Sequence, residues 1–81
     1  MSNSTDFPTI KMGDSGRNVV MLQLMLEDLG CSVGSCGVDG IYGKDTRSAV
    51  NAFRASRDLP QEDNVDSATQ IRIISAWWEV D

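Results

Sequence analysis

Apolar residues return at helical intervals in three stretches of the chain. In the first, Val19, Leu22, Leu26 and Leu29 recur at steps of three and four, which places them on one helix face. Val20, Met21, Leu24 and Met25 widen that face, so the spacing predicts a helix over 16–29 buried on more than one side. Asp14 or Ser15 offers a side-chain oxygen to the free N–H groups of its first turn, and Gly30 stands where a left-handed terminator belongs. In the second stretch, Ala49, Val50, Ala52 and Phe53 predict a helix over 44–57, ended by Leu59-Pro60. In the third, Ala68, Ile71, Ile74 and Trp78, flanked by Ile73 and Trp77, predict a helix over 67–78 with Asp66 as its N-cap. The predicted core contains Val19, Leu22, Leu26, Val50, Phe53 and Ile73.

The intervening segments are polar or rich in glycine. Gly34, Gly37, Gly40 and Gly43 crowd the first connection, and Gln61 to Asn64 forms a polar turn in the second. Val38 to Tyr42 could supply at most a short extended piece. These features predict an all-α fold, a small three-helix bundle with Gly-rich connecting loops. Residues 1–9 read as a polar lead-in and 10–81 as one domain. A short internal repeat stands out: Val38-Asp39 and Val65-Asp66 each precede a helix that carries a threonine near its start, Thr46 and Thr69.

Composition narrows the chemistry. The chain has 81 residues, a net charge of −5 and no histidine. A domain of this size buries only about 60–65% of the surface its unfolded chain exposes, so its core is thin. The acidic balance lacks the basic footprint of a nucleic-acid binder and would be repelled by an anionic membrane surface. Without histidine the commonest general base and metal ligand are missing, and two cysteines cannot build a four-ligand zinc site. The reading is therefore of a chain with no metal and no cofactor. Asp39 and Asp66 are better explained as turn and cap residues than as a catalytic pair, and so small a domain has little room for a deep cleft. No apolar run approaches the roughly 20 residues of a transmembrane helix. Met1 to Asp6 lacks the charged-then-apolar signature of a signal peptide, which leaves a cytosolic chain, another export route, or excision from a longer precursor.

Three groups of residues are candidates for contact with a ligand. The second helix holds Lys44, Arg47, Arg54 and Arg57, four of the seven basic residues. Arg47, Asn51 and Arg54 share one face, either as a strip that grips carboxylates or as a solvated surface. Trp77 and Trp78 are suited to stacking on sugar rings or to filling the core. Cys31 and Cys36 lie five apart in the Gly-rich loop, where a small disulfide ring is feasible and free thiols are the alternative.

Taken in order, Ile10, Gly13, Gly16, Val19, Leu22-Gln23, Leu26 and Gly30, then Val38-Asp39-Gly40-Ile41-Tyr42-Gly43, Thr46, Ala49-Val50 and Phe53, then Leu59-Pro60, Val65-Asp66, Thr69 and Ile73, carry a resemblance. The chain resembles the peptidoglycan-binding domain found beside amidases, carboxypeptidases and lytic enzymes of bacteria and phages. The most specific part is Asp39-Gly40-x-Tyr42-Gly43-x-x-Thr46-x-x-Ala49-Val50-x-x-Phe53. The resemblance implies a non-catalytic module that binds the stem peptide or glycan of peptidoglycan. It also implies a monomer fused to a cell-wall hydrolase, placed outside the cell or in the wall. A structural or protein-interaction domain of the same fold is the alternative. Arg54 departs from the glutamine usual after the helix-two phenylalanine, and Gln61-Glu62-Asp63-Asn64 from the usual glycine-containing loop. Most of the motif reads as architecture. Gly40 and Gly43 are expected at positive φ, Asp39 and Thr46 bonded to nearby backbone N–H groups, Ala49 at a close helix approach, and Val50 and Phe53 in the core. Ile41, Tyr42, Lys44, Arg47, Asn51 and Arg54 are the residues expected to face ligand.

Overall fold

The computed structural model describes residues 7–79 and contains three helices, α1 (Arg17–Asp28), α2 (Lys44–Ser56) and α3 (Ser67–Glu79). The central helix, α1, packs against both others. Ile10, Val19, Leu22, Met25, Leu26, Val33, Tyr42, Ala49, Val50, Phe53, Val65 and Ile73 form one continuous buried cluster. All six predicted core residues belong to it.

Helix ends follow from local chemistry. After α1, Gly30 takes a left-handed φ of 86°, and the Cys31 N–H reaches the Leu26 carbonyl at 2.8 Å while the Gly30 N–H reaches that of Glu27. The same closing geometry ends α2, with Asp58 in the left-handed position (φ 59°) and the Leu59 N–H on the Arg54 carbonyl at 2.8 Å. Aspartate is one of the few side chains that tolerate this conformation. The start of α1 departs from expectation. Its N-cap is Gly16 and no side chain caps it, because Asp14 instead turns back to accept the Lys11 N–H at 2.9 Å. Asp66 does cap α3, accepting the Thr69 N–H at 2.9 Å.

Two predicted faces shift. Met21 and Leu24 are exposed, so α1 is buried along Val19, Leu22, Gln23, Met25 and Leu26 and open on the opposite side. In α3, Ala68, Ile71 and Trp78 lie outside, and Thr69, Gln70 and Ile73 lie inside. Counting apolar side chains alone misplaces this stripe, because Thr69 and Gln70 are buried to make hydrogen bonds.

The connections are tied together by pairs of backbone bonds rather than strands. Ile10 and Val65 exchange two hydrogen bonds of 2.9 Å. Ser15 and Ile41 form a second bridge through the bonds that flank them, the Tyr42 N–H on the Asp14 carbonyl and the Gly16 N–H on the Gly40 carbonyl. Gly40 has a φ of 76° and sits against Val20, where a Cβ would approach a valine methyl at 3.1 Å. Gly43, also expected at positive φ, has a φ of −105° and serves as the N-cap of α2. Phe7 and Pro8, expected in a polar lead-in, reach α3: the Pro8 carbonyl accepts the Gln70 side-chain amide at 2.8 Å. Residues 1–6 of that lead-in lie outside the described residues.

Candidate functional site

Each helix buries one long polar side chain, and each of these clamps a loop. Gln23 of α1 accepts the Gly40 N–H at 2.8 Å, and its amide nitrogen lies within 3.1 Å of Asp39 Oδ1, the Ile41 carbonyl and Thr46 Oγ1. Gln70 of α3 donates to the carbonyls of Pro8 and Val65. Arg54 of α2 is only 2% exposed. Its guanidinium donates to Asn51 Oδ1 at 3.0 Å, the Glu62 carbonyl at 2.9 Å, the Asn64 carbonyl at 2.6 Å and Thr69 Oγ1 at 3.3 Å. The two Val-Asp repeats thus have a shared logic. In each, a buried polar residue of one helix holds the following loop and bonds the threonine that opens the next helix. Thr46 therefore bonds Gln23 rather than a nearby N–H, whereas Asp39 does accept the N–H of Ile41.

Two of the residues expected to face ligand are interior. Tyr42 has no exposed surface, and its hydroxyl donates to the Asp63 carbonyl at 3.0 Å. Arg54 points into the protein because Asn51 Oδ1, the carbonyls of Glu62 and Asn64 and Thr69 Oγ1 together supply the acceptors its desolvated guanidinium needs. Both side chains build the loop at 61–64 instead of meeting solvent. Burial pushes the Tyr42 phenol above its ordinary range, with the Arg54 and Arg47 charges acting against it.

The remaining four candidates fall in two places. Arg47 and Asn51 line an open groove of about 580 Å³ between α2 and residues 61–63, together with Ser48, Ala52, Ala55 and Glu62. Ile41 and Lys44 line a smaller concavity of about 190 Å³ beside the Gly-rich loop, with Val33, Cys36 and Asp45. Lys44 and Arg47 both belong to α2, and the fold turns them toward different surfaces.

The larger groove has a rigid acidic wall. Asn51 Oδ1 accepts the Glu62 N–H at 3.1 Å, Arg54 holds the carbonyls of Glu62 and Asn64, and Tyr42 holds that of Asp63. Arg47 stands at the rim, with Nη1 3.3 Å from Asp63 Oδ1, the pair being 37% and 75% exposed. Among the described residues every buried side-chain nitrogen or oxygen has a partner. Asn51 Nδ2 has none among the described residues and is therefore reached by solvent, on a residue that lines the groove. The floor at Ala52 and Ala55 is small and apolar. This arrangement can offer donors, acceptors and both charge signs to a peptide, and nothing in it is a nucleophile with an adjacent base.

The other candidates resolve as follows. Trp77 packs against the core and donates its indole N–H to Asp28 at 2.9 Å, whereas Trp78 is 78% exposed. Cys31 and Cys36 are free thiols. Burial raises the Cys31 thiol above its ordinary value, opposed by the charge of Arg57. Hydrogen bonds from Gln23 and the Ile41 N–H hold the Asp39 carboxyl below the usual range, and bonds from Thr69 do the same for Asp66. Among the described residues no three His, Cys, Asp or Glu side chains are grouped to hold a metal ion. No helix among them is long and apolar enough to cross a membrane.

Three helices on one thin core, with an open polar groove between α2 and residues 61–63, form a small all-α module. Comparison with known proteins gives that class a family. A family model described as a peptidoglycan binding domain matches residues 15–73. The chain belongs to the peptidoglycan-binding domain family. Among solved structures, the SleB N-terminal domain is similar with 29% identity and a TM-score of 0.79 over 94% of this chain and 99% of that one. A peptidoglycan-binding protein from Clostridioides difficile, solved in complex with glutamine hydroxamate, is similar with 32% identity and a TM-score of 0.74. That match covers 88% of this chain and 42% of the longer relative. No curated protein sequence matches.

Proposed function

We propose that this domain binds bacterial peptidoglycan through the groove between α2 and residues 61–63, and that it holds a joined cell-wall hydrolase at its substrate. Family membership supports wall binding. The observation that selects the groove is its wall, whose backbone is fixed by Asn51, Arg54 and Tyr42 before any ligand arrives. A rigid site spends little of its binding energy on ordering itself, which matters for a module whose interface is small. Joined to an enzyme, even a weak module raises the local substrate concentration. The proposed setting is extracellular or within the wall, as a monomer fused to the enzyme. Ile41 and Lys44, on the separate concavity, are proposed as secondary contacts.

The domain is acidic and many walls carry anionic polymers, so affinity has to come from short-range contacts rather than long-range attraction. The test is co-sedimentation with purified insoluble peptidoglycan at low and moderate salt. Arg47→Ala is the suitable variant, because Arg47 meets the loop only through an exposed side-chain pair with Asp63 that is worth little, whereas Asn51 supports both Arg54 and the Glu62 backbone. Wild type should sediment and Arg47→Ala should sediment several-fold less with an unchanged melting temperature. Equal binding by the two would remove the groove from consideration. The alternative of a protein-interaction domain finds support in the apolar groove of about 260 Å³ lined by Phe7, Met21, Ile74 and Trp77. Absence of wild-type sedimentation would favour it.

A further inference from the structure

We propose that the α2 groove recognises a zwitterionic amino-acid head, an ammonium and a carboxylate on one carbon, as borne by the free end of a diaminopimelate-type stem peptide. The inference rests on the wall-binding reading and names the chemical group read. Two features of the groove carry it.

The first is charge. The titratable side chains lining the groove are Arg47, Glu62 and Asp63, one positive and two negative. A bare carboxylate would meet Arg47 but also two like charges. A group that brings its own positive charge meets partners for both signs. The second is spare bonding capacity. Arg47 spends one N–H on Asp63, through Nη1 and Oδ1, out of five donors, and Asp63 Oδ2 is not engaged in that bond. An exposed pair of this kind is worth little in itself, so a ligand can bond to both ends without losing much. The ligand carboxylate takes the remaining Arg47 donors and the open Asn51 Nδ2. The ammonium takes Asp63 Oδ2 and the Glu62 carboxylate. The apolar floor at Ala52 and Ala55 accommodates the methylene chain that leads to this head.

The backbone that carries the acidic groups is held in place. Glu62 is held at its N–H by Asn51 and at its carbonyl by Arg54, and Asp63 at its carbonyl by Tyr42. A crosslink through that amine, or its acetylation, removes the positive charge and leaves Glu62 and Asp63 facing a neutral amide. The groove therefore favours stems that are not crosslinked at this position.

The experiment uses the 81-residue chain with three insoluble walls: diaminopimelate-type, the same wall after acetylation of its free amines with acetic anhydride, and a lysine-type wall. Apparent affinity for the acetylated wall should fall about tenfold, and affinity for the lysine-type wall, whose free amine has no carboxylate on the same carbon, should also be lower. Glu62→Gln with Asp63→Asn should bind treated and untreated walls alike, with circular dichroism confirming that the variant melts as wild type does. Equal wild-type binding to treated and untreated walls would overturn the zwitterion proposal and leave wall binding standing. Failure to bind any wall would overturn both. A soluble stem tripeptide ending in diaminopimelate, titrated by NMR, should shift the backbone amides of 61–63, and unmoved amides would likewise count against the proposal.

Discussion

Replacing Arg54 by alanine tests whether a buried cation organises this domain. The guanidinium makes four hydrogen bonds, three of them at 3.0 Å or less, to Asn51, Glu62 and Asn64. A bond from a charged donor is worth roughly 1.5–3 kcal/mol net, but water can reach the exposed loop once the side chain is gone and will recover part of the loss. The buried contact to Thr69 is long at 3.3 Å and adds little, although its loss leaves that hydroxyl without this donor. A net cost of about 3 kcal/mol follows. For a domain whose whole stability lies near 4–12 kcal/mol, that is a large share. It should lower the melting temperature by about 12–24 °C. Thermal melting followed by circular dichroism reads the effect, with urea unfolding as a second measure. Arg54→Gln is the informative companion, since an amide can reach one loop carbonyl but not two and should lose about half as much. Wall binding should weaken in both variants at temperatures where they are still folded, because the acidic wall at 61–64 loses its support. A melting temperature for Arg54→Ala within about 3 °C of wild type would refute the reasoning and would mean that the loop is held by Tyr42 and Asn51 alone.

Gln23→Leu keeps the volume of a buried side chain but leaves the Gly40 N–H without its partner, and should cost about 2–3 kcal/mol by urea denaturation; a loss below 0.5 kcal/mol, on the order of a surface substitution, would show that water replaces the clamp. Acid should destabilise the domain through Asp39 and Asp66, whose folded carboxyls lie below their ordinary values. Their stabilisation is present above roughly pH 4, the unfolded value, and is lost as pH falls through the lowered folded values. Asp66→Asn keeps a good capping residue without a titrating group, so its melting temperature should fall less steeply below about pH 4 than that of wild type. Parallel curves would remove Asp66 from the acid response.

The burial of Arg54 and Tyr42 takes both out of direct contact with anything in the proposed groove. Both shape it through the loop they hold. Arg54 occupies the position where glutamine is usual, and its longer fork reaches two successive parts of the 61–64 loop. The loop itself lacks the usual glycine and carries Glu62 and Asp63. In this chain the two departures meet, since Arg54 holds the loop that carries Glu62 and Asp63.

Local sequence determined the helices and most of the core. Val19, Leu22 and Leu26, Val50 and Phe53, and Ile73 keep a helical period that needs no knowledge of distant partners, and Gly30 and Asp66 mark helix ends by bonds made within a few residues. The family was legible for the same reason, since Asp39 to Phe53 is a contiguous run. The destinations of the long polar side chains were settled only by tertiary structure. Gln23 meets partners 16 to 23 residues away, Tyr42 one 21 away, and Gln70 one 62 away. Helical spacing says which face such a residue shares, but not whether a loop will fold over that face and offer it carbonyls. Arg54 and Arg47 share that strip of α2, yet the 61–64 loop covers one and leaves the other at the rim. Once α2, α3 and the loop had closed together, acceptors on Asn51, Glu62, Asn64 and Thr69 converged on one point, and bonds to all four offset the cost of taking the guanidinium out of water.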